Sequence, residues 1–134
     1  MEAGVLSTEL TYLAWSVVLL IGQIVAQALS LTKDGGLAYT VGARDGEVPI
    51  SVVTDRFTRA LRNFLETYGA FIALALALHV TGKAGGIGAT GAALWFWARV
   101  AYVPAYAFGI PYLRSLIWAA SLLGIVLMLI RLIG

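Results

Sequence analysis

Residues 10–32 read LTYLAWSVVLLIGQIVAQALSLT, and no Asp, Glu, Lys or Arg interrupts them. At a rise of about 1.5 Å per residue, such a helix crosses a hydrocarbon core of about 30 Å. The whole chain agrees with that reading. Of its 134 residues 60% are hydrophobic and only 12% charged, and the mean hydropathy is +0.90. A soluble domain of this size has too little interior to hide that much apolar surface. A cleaved signal peptide is the rival reading, since Ala26-Gln27-Ala28 resembles a small-residue cleavage site. The early charges are Glu2 and Glu9, however, with no basic start, and the apolar run is too long for a signal.

Working outward, the composition predicts three further apolar helices. Together with the first they occupy about residues 8–32, 56–81, 89–108 and 112–132. Glycines from Gly82 to Gly91 make a turn-prone connection, and Gly109-Ile110-Pro111 breaks the chain again, because proline cannot continue a helix interior. The expectation is an all-α integral membrane protein, a four-transmembrane-helix bundle in one domain spanning 1–134. Residues 33–55 form the one long polar connection, either an ordered cap or a mobile loop. Lys33, Arg44, Arg56, Arg59, Arg62 and Arg114 fall on one side of that topology, Lys83 and Arg131 on the other. The positive-inside bias puts the richer side in the cytoplasm and both termini opposite.

The sequence contains no cysteine, so any sulfur chemistry comes from a ligand. The pI near 9.2 reflects topogenic arginines; no extended basic surface suggests nucleic acid. His79 stands apart from other ligating residues, so no metal site is expected.

Two polar groups within the apolar helices carry candidate chemistry. Arg59, Arg62, Asn63 and Glu66 stand at i, i+3, i+4 and i+7, on one face of the second helix. Arg62 and Glu66 are spaced to offset each other's desolvation. Arg99 lies halfway through the third helix, with Tyr102 and Tyr106 on the same face. A guanidinium at that depth costs at least about 2.5 to 3.5 kcal/mol, so it needs a protein partner or a wet cavity. Glu66 is the expected partner; Asp55 or Asp45 serves if the long connection folds back. Arg114 and Ser115 open the fourth helix after Pro111, where free N–H groups and a guanidinium favour an anion. Each group has a plainer reading. The stripe and Arg114 can snorkel to headgroups, Arg99 can clamp the bundle, and the tyrosines and Trp95, Trp97 and Trp118 can pack or form an interfacial belt.

The run RALRNFLETY at 59–68, RVAYVPAY at 99–106 and the Pro111, Arg114-Ser115 start resemble the MAPEG family, the membrane-associated proteins in eicosanoid and glutathione metabolism, in a bacterial-type form. The first helix matches in type only, through Gly22-Gln23. The resemblance implies a homotrimer of four-helix subunits embedded in membrane lipid, in the bacterial inner membrane, with glutathione held between neighbouring subunits near the cytoplasmic face. Arg59, Arg62, Asn63, Glu66 and Arg99 would hold it, helped by Tyr102 and Tyr106. Arg114 would face the sulfur, with Ser115 as a second donor. Tyr102 stands where some prostaglandin-synthase members have histidine, Trp118 where tyrosine is usual, and Val25 or its neighbours where an arginine ends the first helix. The implied activity is conjugation of the glutathione thiolate to lipophilic electrophiles, or a glutathione-dependent peroxidase or isomerase reaction. The alternatives are a non-enzymatic lipid-binding or scaffold homologue and a small multidrug transporter; the latter usually centres on a carboxylate in the first span, where residues 10–32 have none.

Overall fold

The computed structural model describes residues 5–46 and 48–134; Glu2 and Glu47 lie outside the described residues. Five helices and no strand occur among them: α1 (Thr8–Gly35), α2 (Leu37–Val41), α3 (Val52–Val80), α4 (Gly86–Ala107) and α5 (Pro111–Ile133). By length and apolarity α1, α3 and α5 are each able to cross a membrane. The sequence reading expects a fourth span at α4. That helix has 22 residues, about 33 Å, but Arg99, its tyrosines and its glycines reduce its apolarity. It is the best-sheltered helix, packed against α1, α3 and α5.

The helix boundaries follow from local chemistry. Ser7 caps α1 by accepting the Leu10 N–H at 3.2 Å. The helix ends at Gly36, whose φ of 87° suits glycine. It thus runs three residues past the expected end, taking in Lys33, Asp34 and Gly35. Asp34 accepts from the Ser51 N–H at 2.8 Å and the Thr54 hydroxyl at 2.6 Å, while Ser51 accepts the Thr54 N–H at 3.2 Å. That double cap starts α3 four residues earlier than expected. It also resolves the 33–55 connection toward an ordered cap, with α2 inside it.

The helix ends pair so that α1 and α3, and α3 and α4, run antiparallel, while α1 and α4 run parallel. Ser30 on α1 meets Thr54 on α3. Arg56 on α3 reaches the Ala107 carbonyl at the end of α4. At the opposite end Glu9 on α1 meets Gly85 before α4. We call these the cap end and the far end. Between them Phe64, Tyr68, Phe71, Trp95 and Met128 form the core. Phe71 stacks on Trp95 with centroids 3.9 Å apart, and the Tyr68 hydroxyl meets Ser16 at 2.8 Å. Trp95 is therefore a packing residue. Gly91 and Gly124 let α4 and α5 touch backbone to backbone, since a Cβ on either meets the other's carbonyl.

Candidate functional site

The stripe on α3 divides in two. Arg59, Arg62 and Glu66 are exposed in the single subunit, whereas Asn63 turns toward α4. Among the described residues the one ion pair within 4 Å joins Arg59 Nε to Asp55 Oδ2 at 3.0 Å. The expected Arg62–Glu66 pair does not form. In Asp55–Arg59 the acid precedes the base, the order that suits the helix dipole; Arg62–Glu66 has the reverse order. Arg62 and Glu66 instead line an open groove of about 470 Å³ with Thr58, Leu61 and Leu65.

Arg99 is the deepest charge, only 1% exposed. Its Nη1 donates to Asn63 Oδ1 at 2.8 Å, and its guanidinium carbon lies 4.4 Å from the Tyr102 ring centre. The expected partner, Glu66, points outward one turn further along α3, so Asn63 takes its place. Arg99 Nε and Nη2 are buried with no acceptor. A single neutral oxygen undercompensates a buried cation, whose desolvation costs several kcal/mol on the order-of-magnitude scale for real proteins.

Aromatic rings link Arg99 to the cap end. Tyr102 and Tyr106 stand one helical turn apart on α4 with centroids 5.6 Å apart, and Arg114 lies 4.9 Å from the Tyr106 ring centre. Arg99, Tyr102, Tyr106 and Arg114 therefore form one ladder of ring and cation contacts. Arg59 also neighbours Tyr106. Beside the ladder's outer end is a cleft of about 200 Å³ lined by Arg56, Tyr106, Gly109, Ile110, Pro111 and Arg114. Its geometry follows from the turn. Gly109 has φ 71°, and a Cβ there would meet the Arg56 guanidinium at 2.8 Å, so glycine lets the cation close against the backbone. Pro111 starts α5 with no side-chain cap, leaving its first N–H groups free for an anion. Ser115 is exposed beside Arg114.

The fold thus brings together Asn63, Arg99, Tyr102, Tyr106, Arg114 and, through Tyr106, Arg59. Arg62 and Glu66 lie on the open flank of α3. Arg56 is a residue that the sequence reading leaves with a topological role only. Its spacing to Arg59 and Asn63, i, i+3 and i+7, was the available signal.

Such long apolar helices, exposing Leu, Ile and Val along their length and burying a guanidinium, define an integral membrane protein with a cationic site near one end. The MAPEG family model matches residues 10–134, nearly the whole chain. The protein belongs to the MAPEG family, which includes glutathione transferases and related proteins, some of them non-enzymatic. No curated protein and no solved structure matches the chain.

Proposed function

We propose that the protein is a glutathione-dependent membrane transferase that acts on lipophilic electrophiles. It works as a homotrimer of four-span subunits, with its site facing the cytoplasm and both termini on the other side of a bacterial inner membrane. The observation that carries this reading is Arg99: a cation 1% exposed with two N–H-bearing nitrogens lacking acceptors is built for an anionic guest.

The residues fit glutathione by charge. The tripeptide carries two carboxylates and one amine, so it needs more cations than anions. Arg56, Arg59, Arg99 and Arg114 meet the carboxylates and the sulfur, and Asn63 fixes the Arg99 fork through its carbonyl. Arg62 and Glu66 lie on the open flank of α3, where a neighbouring subunit can close the groove and Glu66 can take the amine. Glutathione supplies the sulfur nucleophile: its thiol gives its proton to solvent, and the thiolate forms a C–S bond as the electrophile's leaving group, chloride in chlorodinitrobenzene, departs. A free thiol has a pKa of about 8.5, and Arg114 beside the open N-terminus of α5 favours the ionised form at neutral pH. Ser115 donates to the sulfur or to charge developing on the electrophile. Tyr106 holds Arg114 in place through its ring face.

The test is glutathione binding and conjugation to chlorodinitrobenzene by the purified protein, compared with Arg114→Ala and Asn63→Ala. Wild type is expected to bind and turn over, Asn63→Ala to bind weakly, and Arg114→Ala to bind but react slowly. A wild-type protein that neither binds nor reacts ends the transferase reading and leaves a lipid-binding or scaffold role.

A further inference from the structure

Between α1 and α4 a second polar group is buried without a partner. Gln23 of α1 is 6% exposed, and neither its Oε1 nor its Nε2 makes a hydrogen bond. It lines a cleft of about 430 Å³ between α1 and α4, with Leu19, Gly22, Val100 and Pro104 among its walls. Val100 also borders the adjoining cleft of about 390 Å³, which Trp15 and Trp97 line. The two clefts therefore share a wall and follow the α1–α4 seam.

Two further features provide for a guest. Pro104 has no N–H, so the Val100 carbonyl loses the helical donor four residues on. Gly22 is in a helix interior, where glycine is disfavoured, yet its φ is not left-handed and a Cβ there would meet nothing within 4 Å. Neither strain nor crowding calls for glycine; what it leaves is room beside Gln23.

The geometry points to a binding site, within each subunit, for a neutral lipid that carries a hydroxyl on an apolar body. No charged residue lines either cleft, so a charged headgroup is poorly served there. A hydroxyl both donates and accepts, matching the Gln23 carboxamide, while the hydrocarbon lies along Leu19 and Val100 toward Trp15 and Trp97. The site is separate from the arginine ladder and does not depend on glutathione.

The full chain in lipid nanodiscs is photolabelled with a long-chain alcohol carrying a mid-chain diazirine, and with the same chain lacking the hydroxyl; labelled peptides are mapped by mass spectrometry. The alcohol is expected to label α1 and α4 about tenfold more than the hydrocarbon, the discrimination of roughly one buried hydrogen-bond pair. Gln23→Leu should erase that preference. Gly22→Leu, which extends into open space, should block labelling without changing the oligomer, and it serves as the test if Gln23→Leu fails to fold. Equal labelling by both probes, a preference that survives Gln23→Leu, or labelling that survives Gly22→Leu would overturn the assignment. Loss of the oligomer in Gly22→Leu would also overturn it, showing that a second copy covers the groove.

Discussion

Both ends of the helix array carry charged side chains, but they use them differently. At the far end Glu9, Lys83 and Arg131 each bond a backbone group. Glu9 is fully buried and accepts the Gly85 N–H at 2.8 Å, which caps a helix whose own N-cap glycine has no side chain to offer. Lys83 Nζ donates to the Leu132 carbonyl at 2.7 Å, and Arg131 Nε donates to the Lys83 carbonyl at 2.8 Å. Toward the cap end Arg99 is buried with donors to spare, and Arg114 rests on an aromatic ring. The far-end charges hold backbone groups at the helix ends, whereas Arg99 keeps two buried donor nitrogens open to a guest. The carboxylate in the first turn of α1 is thus a structural cap, unlike the centrally placed acid that a small transporter uses.

The largest expected effect comes from Arg114. Arg114→Ala should lower glutathione turnover roughly 100-fold, the loss typical of removing one group that stabilises developing charge. The sign with pH is fixed: without the guanidinium the thiol returns toward its ordinary value of about 8.5, so activity should recover as pH rises. A pH–rate profile from 6 to 10 checks both. An unchanged rate and profile would make Arg114 a headgroup anchor and erase the contrast between the ends.

Arg99 sharpens the contrast. Arg99→Met should weaken glutathione binding about 10- to 100-fold while leaving the ligand-free protein equally or more stable, because an undercompensated buried cation is removed. Asn63→Ala does the reverse to the apo form. It strips Arg99 of its one acceptor and should cost about 1–3 kcal/mol, a deficit that saturating glutathione widens because the variant also binds more weakly. Calorimetry with and without ligand reads both. If Arg99→Met destabilises the protein and spares binding, Arg99 is a clamp, and the two ends work alike.

The contrast was only partly legible in the sequence. The uncharged run at 10–32, the breaks at 82–91 and 109–111 and the 59–66 stripe place the helices and the cationic face, because hydropathy and the helical period are local properties. Tertiary partners are not local. Whether Arg99 meets Asn63 or Glu66 depends on the rotation of α3 against α4, and i, i+4 spacing alone does not show that Arg62 and Glu66 both turn outward. Arg56 entered the cleft because Gly109, more than fifty residues away in sequence, leaves space for its guanidinium. The burial of Glu9 and Gln23 was not legible, since burial of a single polar residue near or within an apolar span is decided by its neighbours.

At the far end substitutions should touch stability alone. Glu9→Ala should cost about 1–2 kcal/mol, the usual value of an N-cap. Glu9→Gln should cost less, because its carbonyl still accepts from Gly85. Turnover per folded protein should stay at the wild-type level for both, measured beside thermal unfolding in the same detergent. A loss of turnover without a loss of stability would mean that Glu9, whose Oε1 is buried without a partner, serves the chemistry as well.

Arg131 gives the smallest expected effect and the finest discrimination. It is exposed on α5 and packs over Gly86 and Gly88, where added Cβ atoms would meet its side chain at 3.4 and 3.0 Å. Two things hold it: the bond to the Lys83 carbonyl and the packing of its stem over Gly88. Arg131→Met keeps the stem and loses the bond, which water can partly replace at an exposed position, so the cost should be under about 1 kcal/mol. Arg131→Ala loses both and should cost more. Lys83 and Arg131 share the Lys83 backbone, so the Lys83→Met, Arg131→Met double variant should deviate from additivity by about 0.5 kcal/mol or more. Additive losses would mean that each far-end cation secures its own carbonyl independently. The far end would then be two separate latches on α5 instead of one joint.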